Sequence, residues 1–375
     1  MSELVLYRKY RPQTFLDVVG QEHITTLLKN SVKMERMAHA YLFSGPRGTG
    51  KTTVARVLAK AANCEKPRDG EPCNVCSVCK EFSSGFAMDL VEIDAASSRG
   101  IDEIRELREA VRLSPSHARF KMYIIDEVHM LTREAFSALL KTLEEPPAHA
   151  VFILATTELE KVPETIVSRT QHYEFKKVRT AEIVDTLAKI AKKENIRANR
   201  RALQLLALFA DGGLRDAESM LGQVLAGSNG EVSEEYVRLV LGAPTEEMVV
   251  GFVSALQKKD AAQAMNTVQK IVEEGIDPQL YLKMVIQHVR EVLLQKLSPK
   301  TMEGYTVGVH SSEEIKIIFT HAQSFLVSDL ERILKSLLDA YWMGYRAVFP
   351  QLPLELAIVD ILKPEIVAGE QTKQV

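Results

Sequence analysis

An α/β domain on a mostly parallel sheet, followed by all-helical segments, is the fold that the sequence predicts. Three observations point to it. Short apolar runs alternate with amphipathic helical patterns through the first half of the chain. A glycine-rich loop lies between the first of those runs and a helical pattern. Beyond about Val178 the apolar runs stop and only helical periodicity remains.

Taken in order, Tyr41–Ser44, Leu90–Asp94, Met122–Asp126 and Val151–Ala155 read as buried strands. Thr52–Asn63 reads as a helix with Val54, Val57, Leu58 and Ala61 on one face. Ile101–Arg112 carries Glu103, Arg105, Glu106, Arg108 and Arg112 on its wet side, and Thr132–Glu145 stops at Pro146-Pro147. Short joints between strands and helices imply helices on both faces of a parallel sheet. Thr180–Glu194, Arg200–Ala210, Leu214–Ala226 and Ser233–Leu241 follow as helices, with Asp211-Gly212-Gly213 as a stop signal. Leu203, Leu206, Ala207 and Ala210 form a core stripe. Gly242-Ala243-Pro244 reads as a joint, and Glu246 to about Leu362 as a second helical region in which Asp277-Pro278 opens one helix. Trp342, near Tyr341 and Tyr345, is expected to pack inside that region. The polar tail from Lys363 is expected to be loose.

The chain has 375 residues, enough for two or three domains. The expected division is 1–178 with an insertion at 64–79, then 179–242, 243–363 and a flexible tail 364–375. Hydrophobic residues at 46% and charged residues at 26% exclude wholesale disorder. No apolar run approaches the ~20 residues that cross a bilayer, and the first residues, MSELVLYRKYRPQTF, lack the apolar core of a secretion signal. A cytoplasmic protein without a membrane partner is therefore expected. A net charge of -3 excludes a globally basic nucleic-acid binder, so any such contact must be a local patch.

Gly45-Pro46-Arg47-Gly48-Thr49-Gly50-Lys51-Thr52 fits the phosphate-loop pattern G-x-x-x-x-G-K-[ST] in full, and Thr53 extends it into the helix. Glycines let backbone N–H groups turn inward around phosphate oxygens, and the helix N-terminus adds partial positive charge. Lys51 is expected to reach the β- and γ-phosphates, and the Thr52 hydroxyl to bind magnesium. A chance glycine turn is the plain alternative; the strand before, the helix after and an acidic partner oppose it. That partner is Met122-Tyr123-Ile124-Ile125-Asp126-Glu127, which delivers two carboxylates to the C-terminal end of a buried strand, where open α/β sheets bind ligands. Asp126 is expected to hold magnesium through water, and Glu127 to polarise the water that attacks the γ-phosphate. His129 is expected to pack or hydrogen-bond.

Cys64, Cys73, Cys76 and Cys79 are the chain's only cysteines, spaced C-x8-C-x2-C-x2-C. Four thiolates close a tetrahedral shell, which points to structural zinc. An iron–sulfur cluster and two disulfides are the alternatives, and a reducing compartment opposes the second. The insertion and the phosphate loop are expected to be separate constructions.

These motifs, with Ala155-Thr156-Thr157, Ser168-Arg169 and Gly213-Leu214-Arg215-Asp216, occur in the order found in AAA+ ATPases. A closer likeness runs through Tyr7-Arg8-Lys9-Tyr10-Arg11-Pro12, Val19-Gly20-Gln21-Glu22-His23, the cysteine cluster, Ile125–Leu131 and Leu139–Pro147. There the chain resembles the gamma/tau family of bacterial DNA polymerase III, the ATP-driven motors of sliding-clamp loaders. The likeness covers about residues 1–240; the remainder is similar to the family's helical collar in length and character only. It implies an ATPase with no polymerase site of its own, using ATP, Mg2+ and Zn2+. It also implies a ring-like oligomer, a pentamer, with other clamp-loader subunits, acting on a sliding clamp and primer-template DNA. Thr157 matches the first sensor, Arg215 the second sensor on a helical lid, and Arg169 the arginine finger that acts in trans on a neighbour's ATP. Thr170 stands where the family usually has cysteine. Tyr7, Arg11, Val18, Val19 and Leu214 fall where the family packs adenine and ribose. Ser97-Ser98-Arg99-Gly100 could face a DNA phosphate or simply cap a helix, and the basic Arg8, Lys9 and Arg11 fit either a base pocket or DNA. Two rivals are another AAA+ DNA motor, such as a branch-migration helicase, which the cysteine insertion opposes, and a non-hydrolysing structural subunit, which the intact loop opposes.

Overall fold

The computed structural model describes residues 5–85, 87–98, 100–228, 230–299, 312–344 and 347–372. The chain divides into two compact units, residues 1–197 with 206–226, and residues 198–205 with 227–375.

The first unit is built on five strands: β1 (Ala40–Ser44), β2 (Leu90–Asp94), β3 (Lys121–Asp126), β4 (Ala150–Thr156) and β5 (Gln171–Glu174). They lie in the order β2-β3-β4-β1-β5 with every neighbouring pair parallel. Parallel pairing buries both faces, and the strand side chains divide by period two. Tyr41, Phe43, Met122, Ile124, Val151 and Ile153 enter one core, under helices α1 (Glu22–Lys33), α2 (Lys51–Ala62) and α3 (Ser77–Ser84). Ala40, Leu42, Tyr123, Ile125, Phe152 and Leu154 enter the other, under α4 (Ile101–Val111) and α5 (Arg133–Glu144). The Tyr123 and Phe152 rings stack there with centroids 5.2 Å apart.

Two elements of this unit escape the sequence pattern. β5 is an edge strand in which Tyr173 alone is buried, so Gln171-His172-Tyr173-Glu174 offers no apolar run. α1 buries Ile24, Leu28 and Val32 one turn apart, beside polar residues that dilute the stripe. The helices α6 (Thr180–Lys193), α7 (Arg200–Phe209) and α8 (Leu214–Gly227) follow as expected, and Leu203, Leu206, Ala207 and Ala210 are buried. Strands do not stop at Val178, however: Arg197–Ala198 pairs with Glu231–Val232, and at two residues neither segment is long enough to register as a pattern.

The second unit is helical, comprising α9 (Glu234–Leu241), α10 (Glu246–Gln257), α11 (Ala261–Glu273), α12 (Pro278–Leu297), α13 (Ser312–Ser324), α14 (Val327–Gly344) and α15 (Leu352–Thr372). Side-chain caps start four of them: Ser233, Thr245, Asp260 and Asp277 accept from the N–H groups of Tyr236, Met248, Gln263 and Gln279. Pro278 fills the first turn of α12, where its missing N–H costs nothing. Phe252, Tyr281, Val285, Val289, Leu330 and Ile358 form the core. Trp342 does not pack inside it. The buried stripe of α14 runs through Leu330, Ile333, Leu337 and Ala340, and Trp342 falls outside that stripe, 70% exposed, with its ring edge-on to Tyr341; Tyr345 lies outside the described residues. Helix rather than coil continues past Lys363, since α15 runs through to Thr372. Once a helix is nucleated each added residue gains one hydrogen bond, and Ala368, Glu370 and Gln371 are good helix formers. Among the described residues no single helix is long and apolar enough to cross a membrane.

Phe152 is fully buried at the centre of the sheet. Phe152→Ala should destabilise the first unit by about 3–5 kcal/mol, read as a lower urea midpoint; a shift under about 1 kcal/mol would mean that this core collapses around the gap.

Candidate active site

β1 runs directly into the glycine loop. Gly45 has φ 135°, and a Cβ there would stand 2.3 Å from the Phe175 carbonyl oxygen, so no side chain fits. Gly48 has φ 76°, and its Cβ would meet the Cα of Gly213 at 3.0 Å. The N-terminus of α8 therefore lies against the loop backbone, and the Arg215 N–H points at the Gly48 carbonyl, 3.4 Å away. Thr49 donates its hydroxyl to the Pro46 carbonyl, and the Gln21 amide donates to the Thr49 and Lys176 carbonyls. Pro46 and Arg47 are exposed, and Thr53 is half-buried.

Lys51 opens α2 and is buried. Its Nζ donates to the carbonyls of Gly45 (2.7 Å) and Pro46 (2.9 Å). Burial pulls its pKa down, against the pull of Glu127 and Asp126. The Thr52 hydroxyl donates to Asp126 Oδ2 at 2.7 Å. Glu127 leaves β3 in the left-handed region, φ 48°, and its Oε2 accepts from the Thr157 hydroxyl (2.9 Å) and N–H (3.2 Å). His129 is hydrogen-bonded, Nδ1 to the Thr156 hydroxyl at 2.9 Å, with Nε2 3.1 Å from Glu158 Oε1. Lys51, Thr52, Asp126, Glu127 and Thr157 thus converge on the C-terminal edge of the sheet.

The arginines sit differently. Arg215 is exposed, with its guanidinium 4.8 Å from the centre of the Tyr7 ring, and its hydrogen bond pulls the Tyr7 phenol below its usual pKa. Arg169 does not join the cluster: it donates to the Thr165 carbonyl and pairs with Glu144 Oε1 at 2.8 Å. Val18 is buried; Arg11, Val19 and Leu214 are partly so. Lys9 pairs with Glu194, and Arg8 lies over the Tyr7 ring. Ser97 and Ser98 turn back on the Asp94 carbonyl ahead of α4; Arg99 lies outside the described residues.

Glu218 escaped the sequence reading. It is 6% exposed on α8 beside Ala217 and Leu221. Burial pushes its carboxyl up to about 7, with Arg11 pulling the other way. A carboxylate interrupting an apolar helical stripe was the available signal.

The four cysteine sulfurs all lie within 4.8 Å of one another, and none is in a disulfide. Cys73 Sγ and Cys79 Sγ are 4.0 Å apart, close to the ~3.8 Å edge of a tetrahedron with ~2.3 Å Zn–S bonds. A multi-iron cluster spreads its thiolates over separate metal atoms and so holds them farther apart. N–H groups of Cys73, Cys76 and Cys79 point at the sulfurs of Cys64, Cys73 and Cys76, which suits thiolates. The donor set fits one tetrahedral ion.

A parallel sheet feeding a glycine loop, an Asp-Glu pair at its edge and a helix packed on that loop define the AAA+ class of phosphate-loop proteins. Residues 20–179 match the family described as DNA polymerase III, delta subunit; residues 182–230 match the DNA polymerase III clamp loader subunit, ATPase lid domain; residues 232–367 match DNA polymerase III subunits gamma and tau domain III. The chain is 42% identical over 362 residues to DNA polymerase III subunit tau of Bacillus subtilis, covering 96% of this chain and 63% of that protein. It is 44% identical to subunit tau of Salmonella typhimurium, over 80% of this chain and 47% of that one. With subunit gamma of Buchnera aphidicola (subspecies Baizongia pistaciae) it shares 41% identity over 80% of this chain and 81% of that protein. The chain belongs to the DNA polymerase III gamma/tau family, and it spans about half to two thirds of the length of these tau relatives. A solved structure of the Thermotoga maritima RuvB Holliday junction branch migration motor aligns with TM-score 0.48 and 18% identity, over 66% of this chain and 79% of that one, a likeness too weak to bear on function.

The Glu218 carboxyl has a folded pKa of about 7, above its usual 4.5, so the folded unit takes up a proton that the unfolded chain releases. The associated stability is whole below about pH 4.5 and is lost as pH rises through about 7. Glu218→Gln should stabilise the unit at pH 8 by on the order of 2 kcal/mol and change little at pH 5. Urea unfolding at both pH values checks this; an equal effect at each would place the cause in packing rather than charge.

Proposed function

We propose that this chain is an ATP-driven motor subunit of a bacterial DNA polymerase III clamp loader, whose binding and hydrolysis of ATP drive opening of a sliding clamp and its placement on primed DNA during replication. The observation that carries it is the convergence of Lys51, Thr52–Asp126 and Glu127–Thr157 at one sheet edge.

Each group has a role it can reach from where it rests. Lys51 exchanges two loop carbonyls for β- and γ-phosphate oxygens, a stronger, charge-assisted pairing. The N–H groups of Arg47–Thr53 cradle the phosphates. Thr52 and Asp126, already paired, supply hard oxygen donors for Mg2+, which when bound neutralises charge on the transferring phosphoryl group. Glu127 orients the attacking water, and Thr157, bonded to that same carboxylate, links the water's position to the end of β4. Arg215 lies on the helix packed on the loop and reaches the γ-phosphate of its own subunit's ATP, while Tyr7, Arg11, Val18, Val19 and Leu214 enclose the base and ribose. Arg169 is held on Glu144, away from its own loop, which supports action in trans within a ring-like oligomer, a pentamer with other clamp-loader subunits. Cys64, Cys73, Cys76 and Cys79 hold one structural Zn2+. Residues 1–178 form the ATPase domain, 179–242 the lid and 243–363 the oligomerising collar, and the protein works in the cytoplasm.

Lys51→Ala should weaken ATP binding roughly ten- to a hundredfold, the scale of a lost charged hydrogen bond; unchanged affinity by calorimetry would remove Lys51 from the site. Glu127→Gln should keep ATP and Mg2+ binding while lowering turnover by about 10²–10⁴. Arg169→Ala should lower turnover of the assembled complex by about 10³–10⁵, and mixing it with Lys51→Ala subunits should restore part of the rate. If the two co-assemble and nothing returns, Arg169 is a structural partner of Glu144. Stimulation of turnover by clamp and primed DNA tests the function as a whole, and elemental analysis should find one zinc per chain.

A further inference from the structure

A hydrogen-bonded stretch of chain connects the cysteine insertion to the phosphate loop. Residues 11–19 run between them, and both ends of this segment are anchored. Its C-terminal end reaches the loop through Gln21, whose amide donates to the Thr49 and Lys176 carbonyls while its Oε1 accepts from the Lys176 N–H. Its N-terminal half is tied elsewhere. Gln13 Oε1 accepts from Lys60 Nζ (2.7 Å) and from the Ser83 hydroxyl (3.2 Å), and Lys60 also donates to Ser83 (3.2 Å). The Phe15 N–H donates to Glu71 Oε2 at 2.8 Å.

Every one of these outside partners belongs to the cysteine module or its flank. Lys60 is one helical turn before Cys64 on α2, Glu71 lies between Cys64 and Cys73, and Ser83 is one turn after Cys79 on α3. Phe15 and Val18 are buried in the core shared with α2, whereas Arg11, Pro12 and Gln13 border a cavity of about 570 Å³ whose other walls include Arg56, Val57 and Lys60. Over the cavity the hydrogen bonds of Gln13 hold the Arg11–Gln13 stretch to α2, and the Phe15 N–H bond to Glu71 adds to the packing of the rest. Lys60 is 3% exposed, a costly place for an ammonium group unless anions lie near. Cys79, Asp17, Cys64 and Cys73 supply that field. A metal ion held by four thiolates leaves the module net negative, so filling the site sustains the charge that keeps Lys60 buried and in reach of Gln13.

We infer that the cysteine module is a positioning device for the nucleotide site: through Lys60, Ser83 and Glu71 it sets the segment carrying Arg11, Val18 and Val19 against the phosphate loop, so that nucleotide affinity depends on the tetrathiolate site. Lys60 is a positioning residue that touches no nucleotide. This rests on the nucleotide-binding reading of Gly45–Thr53.

The test is calorimetric titration of ADP into the full chain, as purified and after removal of zinc with a thiol-modifying agent and chelator followed by thiol recovery. Affinity should fall about tenfold on removal, the scale of one or two lost hydrogen bonds, and return when zinc is restored. Hydrogen exchange should show faster exchange across residues 11–19. Gln13→Leu keeps the side chain's bulk and should reproduce the loss with zinc content unchanged. Lys60→Met should do so and also release zinc faster to a colorimetric chelator, while Lys60→Arg should restore much of both. Gln13→Leu binding ADP like the parent protein overturns the inference even if the stripped protein unfolds, as does stripped, folded protein with undiminished affinity. A parent protein that binds no ADP at all refutes the phosphate-loop reading instead.

Discussion

Parallel pairing in level register is the constraint on which the site depends. Ser44 of β1 stands opposite Thr156 of β4, and Ile125 of β3 opposite Leu154. The three strands consequently end side by side, and their continuations emerge at one edge: the glycine loop after β1, Glu127 after β3, Thr157 after β4. Both faces of this sheet are buried, so hydrophobicity alone does not forbid a slip of one residue. Shape does. Tyr41, Phe43 and Tyr173 crowd one face, while Tyr123 and Phe152 stack on the other opposite the smaller Ala40 and Leu42. A slip would exchange these sets and leave voids on one side and overlap on the other.

Charge at that edge is handled by pairing each group internally. Lys51 is buried, and its ammonium group is satisfied by two carbonyls of its own loop. Asp126 takes the Thr52 hydroxyl, and Glu127 takes Thr157. Unpaired, a buried ammonium or carboxylate would cost several kcal/mol. Neutral loop carbonyls are weaker partners than phosphate oxygens, so binding of an anion replaces an adequate arrangement with a better one. It does not have to build the site from solvated parts.

The residues legible from sequence are those whose chemistry fixes their spacing. Gly45 to Thr52 form one contiguous phosphate-loop pattern, Asp126 and Glu127 follow one apolar run, and Cys73, Cys76 and Cys79 recur at the short spacing typical of metal-site thiols. Where function needs only proximity in space, local sequence is silent. Arg169 and Arg215 look like any exposed arginine, and only the family resemblance singles them out. Glu218 was readable as a break in the stripe of α8 but carries no motif. The bonds joining Gln13 to Lys60 and Ser83 close across 47 and 70 residues, and no local pattern encodes a closure of that length. Trp342 misled because a lone large aromatic suggests a core, while its place in the helical period puts it outside the buried stripe of α14.

The loop and α8 also meet without local sequence marking it. Gly48 and Gly213 approach so closely that a Cβ on Gly48 would sit 3.0 Å from the Cα of Gly213, and one on Gly213 would sit 3.2 Å from the Arg47 carbonyl oxygen. Backbone therefore meets backbone here, with the Asp216 carboxylate beside both glycines. Arg215 and Glu218 are one turn apart on that helix, the first over Tyr7 and the second buried in the field of Arg11. A shift of the loop that moves the start of α8 moves both groups against the segment containing Tyr7 and Arg11. That segment is braced from its far side by Gln13 and Phe15, through Lys60, Ser83 and Glu71. Loop, helix and cysteine module thus bear on one short stretch of chain, and its position is the quantity that all three set together.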